Sequence, residues 1–255
     1  MYSGKDPLDT VLGKAVALMR SFGPEDRVLS LSELARRAGI AKTTAHRLAS
    51  DLVELRLMDR TDDGYRLSGG LFELGMRASV ERSLLEVAMP FLQDLYERTR
   101  ETVHLGIAEG SEVIYVAKIG GHRQARTPSR TGGRMPMHCT AIGKVLLAHA
   151  DAEVQQAVLT SPLPRRTPHT IVSPGLLARQ LEGVLENGIA WEREESTPGL
   201  VCVGAPVLDA SGTRAVAAIS VTGPIGRFRP EAHASAVRTT STGLASMLIR
   251  RDHHA

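Results

Sequence analysis

Residues 31–55, LSELARRAGIAKTTAHRLASDLVEL, constrain the fold more than any other stretch. Leu31, Leu34, Ala35 and Ala38 recur at helical spacing, and Gly39 supplies the left-handed conformation on which a helix ends. Ile40 is placed to plug the turn and Thr43 to cap a second helix. There Ala45, Leu48, Leu52 and Leu55 fall on one face, leaving Lys42, Thr43, Thr44, His46, Arg47 and Ser50 pointing outward. Two helices packed across a glycine turn, the second presenting Thr, His and Arg at its start, form a helix-turn-helix suited to double-stranded DNA.

The remaining 200 or so residues must explain what such a module serves, and composition narrows the choices. The chain of 255 residues has room for two domains, and 42% hydrophobic with 23% charged residues is ordinary for a globular protein. Aromatic residues make up only 4%, so the core rests on Leu, Val, Ala and Ile. The same scarcity argues against a binder that stacks the bases of single strands. Cys139 and Cys202 are too few and too far apart for a disulfide framework or a zinc cluster. Neither a long apolar run nor a signal-peptide pattern is present, so a cytoplasmic protein without a membrane partner is expected.

A net charge of +3 does not by itself announce a nucleic-acid partner, and residues 1–80 are almost balanced. The basic charge is local. Arg36, Arg37, Lys42 and Arg47, with His46 among them, face a single Glu33 between residues 33 and 47. Such a patch docks phosphates with an affinity that falls as salt rises.

Upstream, VLGKAVALMRSF (11–22) carries an apolar helical stripe and completes a three-helix unit. Downstream, Leu57, Met58 and Arg60 lead into an Asp62-Asp63-Gly64 turn, and Tyr65, Arg66 and Leu67 lead out. That is a hairpin signal. Helix-turn-helix followed by a hairpin is a winged helix, with Arg60 and Arg66 flanking the wing. Residues 71–100 read as helix, and Pro90 is expected to begin a fresh one. Beyond residue 100, TVHLGIAE and EVIYVAKIG form a strand pair, followed by a Gly-, Arg- and Pro-rich loop at 121–138. Helices at 140–149, 151–159 and 174–187, strands near 189–194, 199–208 and 214–222, and a helix over 230–249 complete the chain. A single antiparallel sheet with packed helices is the simplest architecture, an α+β fold.

The chain resembles the IclR family of bacterial transcriptional regulators over roughly residues 10–250. The likeness rests on VLGKAVALMRSF, the 31–55 block and the DDGYRL wing. In the second half it rests on RMPMHCTAIGKVLLA (134–148), TPHTI (167–171), EREESTPGLVCVGAPVLD (192–209) and AVAAISVTGP (215–224). The resemblance implies a winged-helix DNA-binding domain at 8–75, a linker helix at 76–89 and a GAF-like effector domain at 90–250. It also implies a homodimer, commonly paired into a dimer of dimers, that binds palindromic operators as repressor or activator. Its small-molecule effector would be a carboxylate or aromatic catabolite. No cofactor and no catalytic activity are expected.

Lys42, Thr43, Thr44, His46, Arg47 and Ser50 are the candidate DNA readers, since Arg can fork onto guanine, while Arg60 and Arg66 suit phosphate or minor-groove contacts. For the effector, the resemblance points to 135–142 and 191–202. Met135 would form an apolar wall, and Thr140, Ala141 and Ile142 stand at a helix start where free N–H groups favour an anion. Glu192 falls where some relatives carry an aspartate that touches a small-acid effector, and its longer carboxylate changes the pocket's reach. Cys202 would point inward, though a buried structural thiol is the more natural reading. Glu194 and Glu195 are open to a structural role in the turn or a subunit contact. Arg123, Arg126, Arg130 and Arg134 make a basic run, either a solvated loop or an entrance attracting carboxylates. A redox sensor built on Cys139 and Cys202 is the competing function. A metal site at His138, Cys139 and Cys202, or a nucleophile and base at Cys139 and His138, is disfavoured because neighbours on a strand face opposite ways.

Overall fold

Thr10 opens the first helix of the computed structural model, which describes residues 9–77, 79–120 and 127–252. Its hydroxyl accepts the Gly13 N–H at 2.9 Å and so caps α1 (Val11–Arg20). In α2 (Leu31–Ala38) the Ser30 hydroxyl does the same for Glu33, and Gly39 ends the helix at φ 67°. The second helix of the motif, α3 (Lys42–Glu54), begins at Ala41 without a side-chain cap, and the Ala45 N–H closes on the Ala41 carbonyl at 2.9 Å. Thr43, expected to cap this helix, therefore already lies inside its first turn. Leu55 is a second correction. It follows the helix and is 67% exposed, while Ala49 takes the place in the core beside Ala45, Leu48 and Leu52. Leu18, Leu34, Met58 and Tyr65 fill the rest of this small core.

The hairpin forms as the Asp62-Asp63-Gly64 sequence predicts. Strands β1 (Met58–Thr61) and β2 (Gly64–Leu67) pair from Met58↔Leu67 to Thr61↔Gly64, so Asp62 and Asp63 make the turn. Leu29 adds a rung of its own. Its N–H and carbonyl both bond to Tyr65 at 2.9 Å. The chain then continues through α4 (Gly69–Gly75) into α5 (Ser79–Thr99).

Pro90 does not start a new helix; it lies within α5. Proline in a helix forfeits a hydrogen bond and is costly, but Ala88, Leu92 and Leu95 are all fully buried around it. That packing holds the helix continuous. The chain divides into two compact units, residues 1–82 and 83–255, and the division falls inside α5.

The second unit is built on one antiparallel six-stranded sheet. From edge to edge its order is β5 (Arg134–Pro136), β4 (Glu112–Ile119), β3 (Thr102–Glu109), β8 (Ala215–Pro224), β7 (Leu200–Leu208) and β6 (Ala190–Arg193). The short edge strand β5 lies inside the stretch expected to be all loop, where Met135 pairs with Val113. One sheet face carries α5 and α9 (Pro230–Asp252), with Leu92, Leu95, Val103, Val203, Ile219 and Leu244 in one core. The other carries α6 (Ala141–Ala148), α7 (Ala152–Thr160) and α8 (Pro174–Asn187), with Ile142, Val145, Leu177 and Val184 in a second core. The α+β expectation holds.

Candidate functional site

In the first unit, Lys42, Thr43, His46 and Arg47 stand exposed along one side of α3, whereas Thr44 and Ser50 are half-buried. Several are already engaged. Ser50 donates its hydroxyl to the His46 carbonyl at 3.0 Å, and Arg47 lies 3.6 Å from Asp51 one turn on. On the wing, the strand register puts Arg60 across from Tyr65 and Arg66 across from Asp59, on opposite faces. Arg60 rests over the Tyr65 ring at 6.0 Å, and Arg66 pairs with Asp59 at 2.9 Å.

The basic patch is smaller than its sequence suggests. Glu33 accepts from both Arg36 and Arg37, each at 2.6 Å, and the two guanidiniums hold its carboxyl down at about 2. Arg37 also pairs with Asp26 and donates to the Ser21 carbonyl at 3.1 Å. Thus Glu33 is not the only acid facing the patch. Arg37 clasps α2 to the turn that follows α1, leaving Lys42, His46 and Arg47 as the outward basic groups of α3.

In the second unit, all six residues expected around an effector line one cavity. Met135, Thr140, Ala141, Ile142, Glu192 and Cys202 line a space of about 30 Å³. Strand register explains the gathering. Glu192 pairs with Cys202, Cys202 with Thr222, and Ser220 with His104, and cross-strand partners share a face. A bulge between Leu105 and Gly106 then lets Tyr115 and Lys118, three residues apart, sit opposite Gly106 and His104 on that same face.

Sequence reasoning missed His104, Tyr115, Ser129, Ser220 and Thr222, which line the same cavity. His104 is held from both sides, with its Nε2 2.7 Å from the Ser129 hydroxyl and its Nδ1 3.5 Å from that of Ser220. Its ring meets Tyr115 edge-on at 5.1 Å. Burial, reinforced by the Lys118 charge, pushes the imidazole down to about 3, so it is neutral at ordinary pH. Lys118 in turn donates to the Thr127 hydroxyl and the Ser129 carbonyl, both at 2.7 Å, fixing that wall.

Helix α6 enters the cavity by its N-terminus. Thr140 caps it, accepting from Gly143 at 3.1 Å and donating to the Pro136 carbonyl at 3.1 Å. A side chain on Gly143 would overlap the Met137 backbone, so glycine is what permits this close approach. The N–H groups of Ala141 and Ile142 head the helix without acceptors among the described residues.

Glu192 supplies the carboxyl group of the cavity. Its Oε1 accepts from the Glu195 N–H at 2.6 Å and the Ser196 N–H at 3.0 Å. Burial outweighs those bonds and pushes the carboxyl up to about 7. The TPHTI block braces the turn beyond it. Thr167 donates to the Glu194 carbonyl at 2.6 Å and Thr170 to the Glu195 carbonyl at 2.7 Å. Glu194 sits in this turn at φ 56° and accepts from the Gly199 N–H. Glu195 turns inward and meets Lys144, from α6, at 2.5 Å.

The two cysteines do not form a reactive pair. Both are buried and free, and burial pushes each thiol up to about 12. Thr222 donates to the Cys202 sulfur at 3.0 Å. His138 and Cys139 lie in a turn rather than a strand, and His138 is held by the Pro164 carbonyl at 3.1 Å. Among the described residues no group of three His, Cys, Asp or Glu side chains is placed to hold a metal ion. Of the arginine run, Arg134 pairs with Glu112 at 3.3 Å and Arg130 is exposed, while Arg123 and Arg126 lie outside the described residues. No described helix is long and apolar enough to cross a membrane.

Comparison with known proteins agrees with this picture. Residues 11–62 match the family model "IclR helix-turn-helix domain" and residues 76–244 match "Bacterial transcriptional regulator IclR C-terminal". The HTH-type transcriptional regulator KdgR of Dickeya chrysanthemi is 35% identical over 226 residues, covering 88% of this chain and 73% of that one. KdgR of Escherichia coli (strain K12) is 32% identical over 252 residues, covering 98% and 95%. Among solved structures, an IclR homolog from Microbacterium hydrocarbonoxydans complexed with 4-hydroxybenzoate superposes with a TM-score of 0.88. It is 28% identical, and the match covers 95% of this chain and 100% of that one.

Proposed function

The chain belongs to the IclR family and is a DNA-binding transcriptional regulator, and from that premise we propose that a small carboxylate or aromatic catabolite, bound in the cavity around Glu192 and Cys202, sets its affinity for an operator. The observation that carries this reading is the convergence of the free N–H groups of Ala141 and Ile142, the His104 imidazole and the Glu192 carboxyl on one cavity. A helix N-terminus receives an anionic group. The hydroxyls of Ser220 and Thr222, with Glu192, receive hydroxyl substituents at the other end. The homolog bound to 4-hydroxybenzoate, an aromatic acid with one hydroxyl, supports the same class.

In this proposal residues 8–75 read DNA, 76–89 link and 90–250 sense, so α5 carries the chain from reader to sensor. Lys42, Thr43, Thr44, His46, Arg47 and Ser50 face the major groove, with Arg60 and Arg66 on the backbone. The working form is a cytoplasmic homodimer, or a dimer of dimers, without catalytic activity. Its two recognition helices must match half-sites about 34–36 Å apart, or multiples of that. The effector shifts affinity only through its preference between two arrangements of those helices.

A thermal-shift screen of aromatic and short-chain acids on the full chain tests the sensing half, because a ligand bound to the folded state raises its apparent stability. At least one hydroxylated aromatic acid should raise the melting temperature, and Glu192→Ala should lose the shift. Gel-shift assays with Arg47→Ala/Thr44→Ala test the reading half. Specific binding should vanish while the oligomer persists, and undiminished binding would overturn the assignment.

A further inference from the structure

A second cavity opens beside the first without sharing a lining residue. It measures about 210 Å³ and lies between α8, the middle of α6 and the start of β6. Gln180, Gly183, Val184 and Asn187 follow the i, i+3, i+4, i+7 spacing of one face of α8 and form one wall. Buried Ile189 and Ala190 extend the apolar lining, and Lys144 and Trp191 close the floor.

The floor is chemically incomplete. Lys144 is 1% exposed and directs two of its three N–H groups to Glu195 at 2.5 Å and to the Trp191 carbonyl at 3.1 Å. Its third N–H has no acceptor among the described residues. Glu195 Oε2 is buried without a hydrogen-bond partner among the described residues, but Glu195 does not line this cavity. Buried polar groups are ordinarily satisfied, so the cavity floor has one donor to fill. The wall is also kept bare. Glycine inside a helix is destabilising relative to alanine, yet a Cβ at Gly183 would meet nothing within 4 Å. Packing of the helix does not require glycine at that position, and its absent side chain leaves the space open.

We propose that this cavity is a binding site for a neutral, single-ring aromatic carrying one hydrogen-bond acceptor, as a carboxamide or a hydroxyl does. Size fits the ring, since a cavity of about 150 Å³ holds benzene. Charge selects neutrality. Lys144 and Glu195 already cancel, and an added carboxylate would leave a buried charge without a partner. A carboxamide offers an acceptor to the ammonium, while Val184, Ile189 and Ala190 receive the ring. The site stands apart from the effector reading above, because its readout is binding and not regulation.

Trp191 is the chain's only tryptophan and reports on this floor directly. The full chain is titrated with benzamide while its fluorescence is followed. A saturable change in the millimolar range is expected, as for a fragment of this size. Gly183→Leu and Gln180→Phe, which fill the cavity from the open face of α8, should each weaken binding at least tenfold. Cys202→Met, which fills the first cavity, should leave it unchanged, and benzoate should bind at least tenfold more weakly than benzamide. The absence of a saturable change in the unmodified protein overturns the proposal. So does a titration that survives both filling variants, or one lost in Cys202→Met, which would assign benzamide to the first cavity.

Discussion

The Lys144 ammonium lies 2.5 Å from the Glu195 carboxylate, with only 1% and 6% of the two side chains exposed. Removing one member of such a pair strands the other charge out of water, at a cost of about 3–5 kcal/mol. Lys144→Met should therefore lower the urea midpoint of the full chain sharply. Lys144→Met/Glu195→Leu, which removes both charges, should recover most of the loss. A single variant as stable as the parent would show that the pair contributes nothing to folding.

Glu192 makes stability depend on pH in a defined window. Its carboxyl is raised from 4.5 to about 7, mainly by burial. Between those values the folded protein keeps a proton that the unfolded chain releases, so this group's contribution falls as pH rises, by up to about 3 kcal/mol. His104 slopes the other way. Held down from 6.5 to about 3, it costs stability as pH falls through that range. Comparing the parent with Glu192→Gln isolates the first effect. The parent should lose stability relative to the variant from pH 4.5 to 7 and run parallel above it, and parallel curves throughout would refute the assignment.

Effector affinity should follow the same proton. Below about 7 Glu192 is neutral and tolerates a carboxylate ligand, whereas above it the ionised side chain repels one. Affinity for an acidic effector should thus decline as pH rises past neutrality in the parent. In Glu192→Gln it should stay flat, as measured by calorimetry.

Arginines close in sequence should behave differently. Arg47 is exposed on α3, and if it forks onto a base its loss costs about 1–3 kcal/mol of specific binding. Arg37 is held by Glu33, Asp26 and the Ser21 carbonyl. Arg37→Ala should lower the melting temperature while leaving operator preference unchanged. A loss of sequence preference without loss of stability would place Arg37 on the DNA.

The cysteines should be silent to oxidants. Only the thiolate reacts readily, and both thiols are buried and raised to about 12. Peroxide should change regulation by Cys139→Ser/Cys202→Ser no more and no less than it changes regulation by the parent. A response that disappears in the double variant would revive the redox reading.

What was legible in the sequence follows from how locally each feature is specified. Gly39 and the Asp62-Asp63-Gly64 turn declare themselves within a few residues, and the helices around them followed. Pro90 misled because a local rule was outweighed by the burial of Ala88, Leu92 and Leu95. His104, Ser220 and Thr222 were missed because they meet only through strand register. The available signal was a polar residue at an inward position between apolar ones, in VHL and ISVTG. Alternation exposes such residues, but only pairing across strands shows that they share a cavity. Lys144 and Glu195 lie 51 residues apart, beyond any local pattern.

The space around Glu192 and Cys202 holds about 30 Å³, far less than the roughly 150 Å³ of a cavity that holds benzene. A ring-sized effector must therefore meet a protein that has already made room for it. Its apparent affinity is the intrinsic fit scaled by the fraction of molecules opened. Threshold and identity become separate settings of the sensor. Trimming an apolar wall, as in Leu200→Ala, would make it respond to lower concentrations of every effector alike, whereas exchanging Glu192 would change the order in which it prefers them.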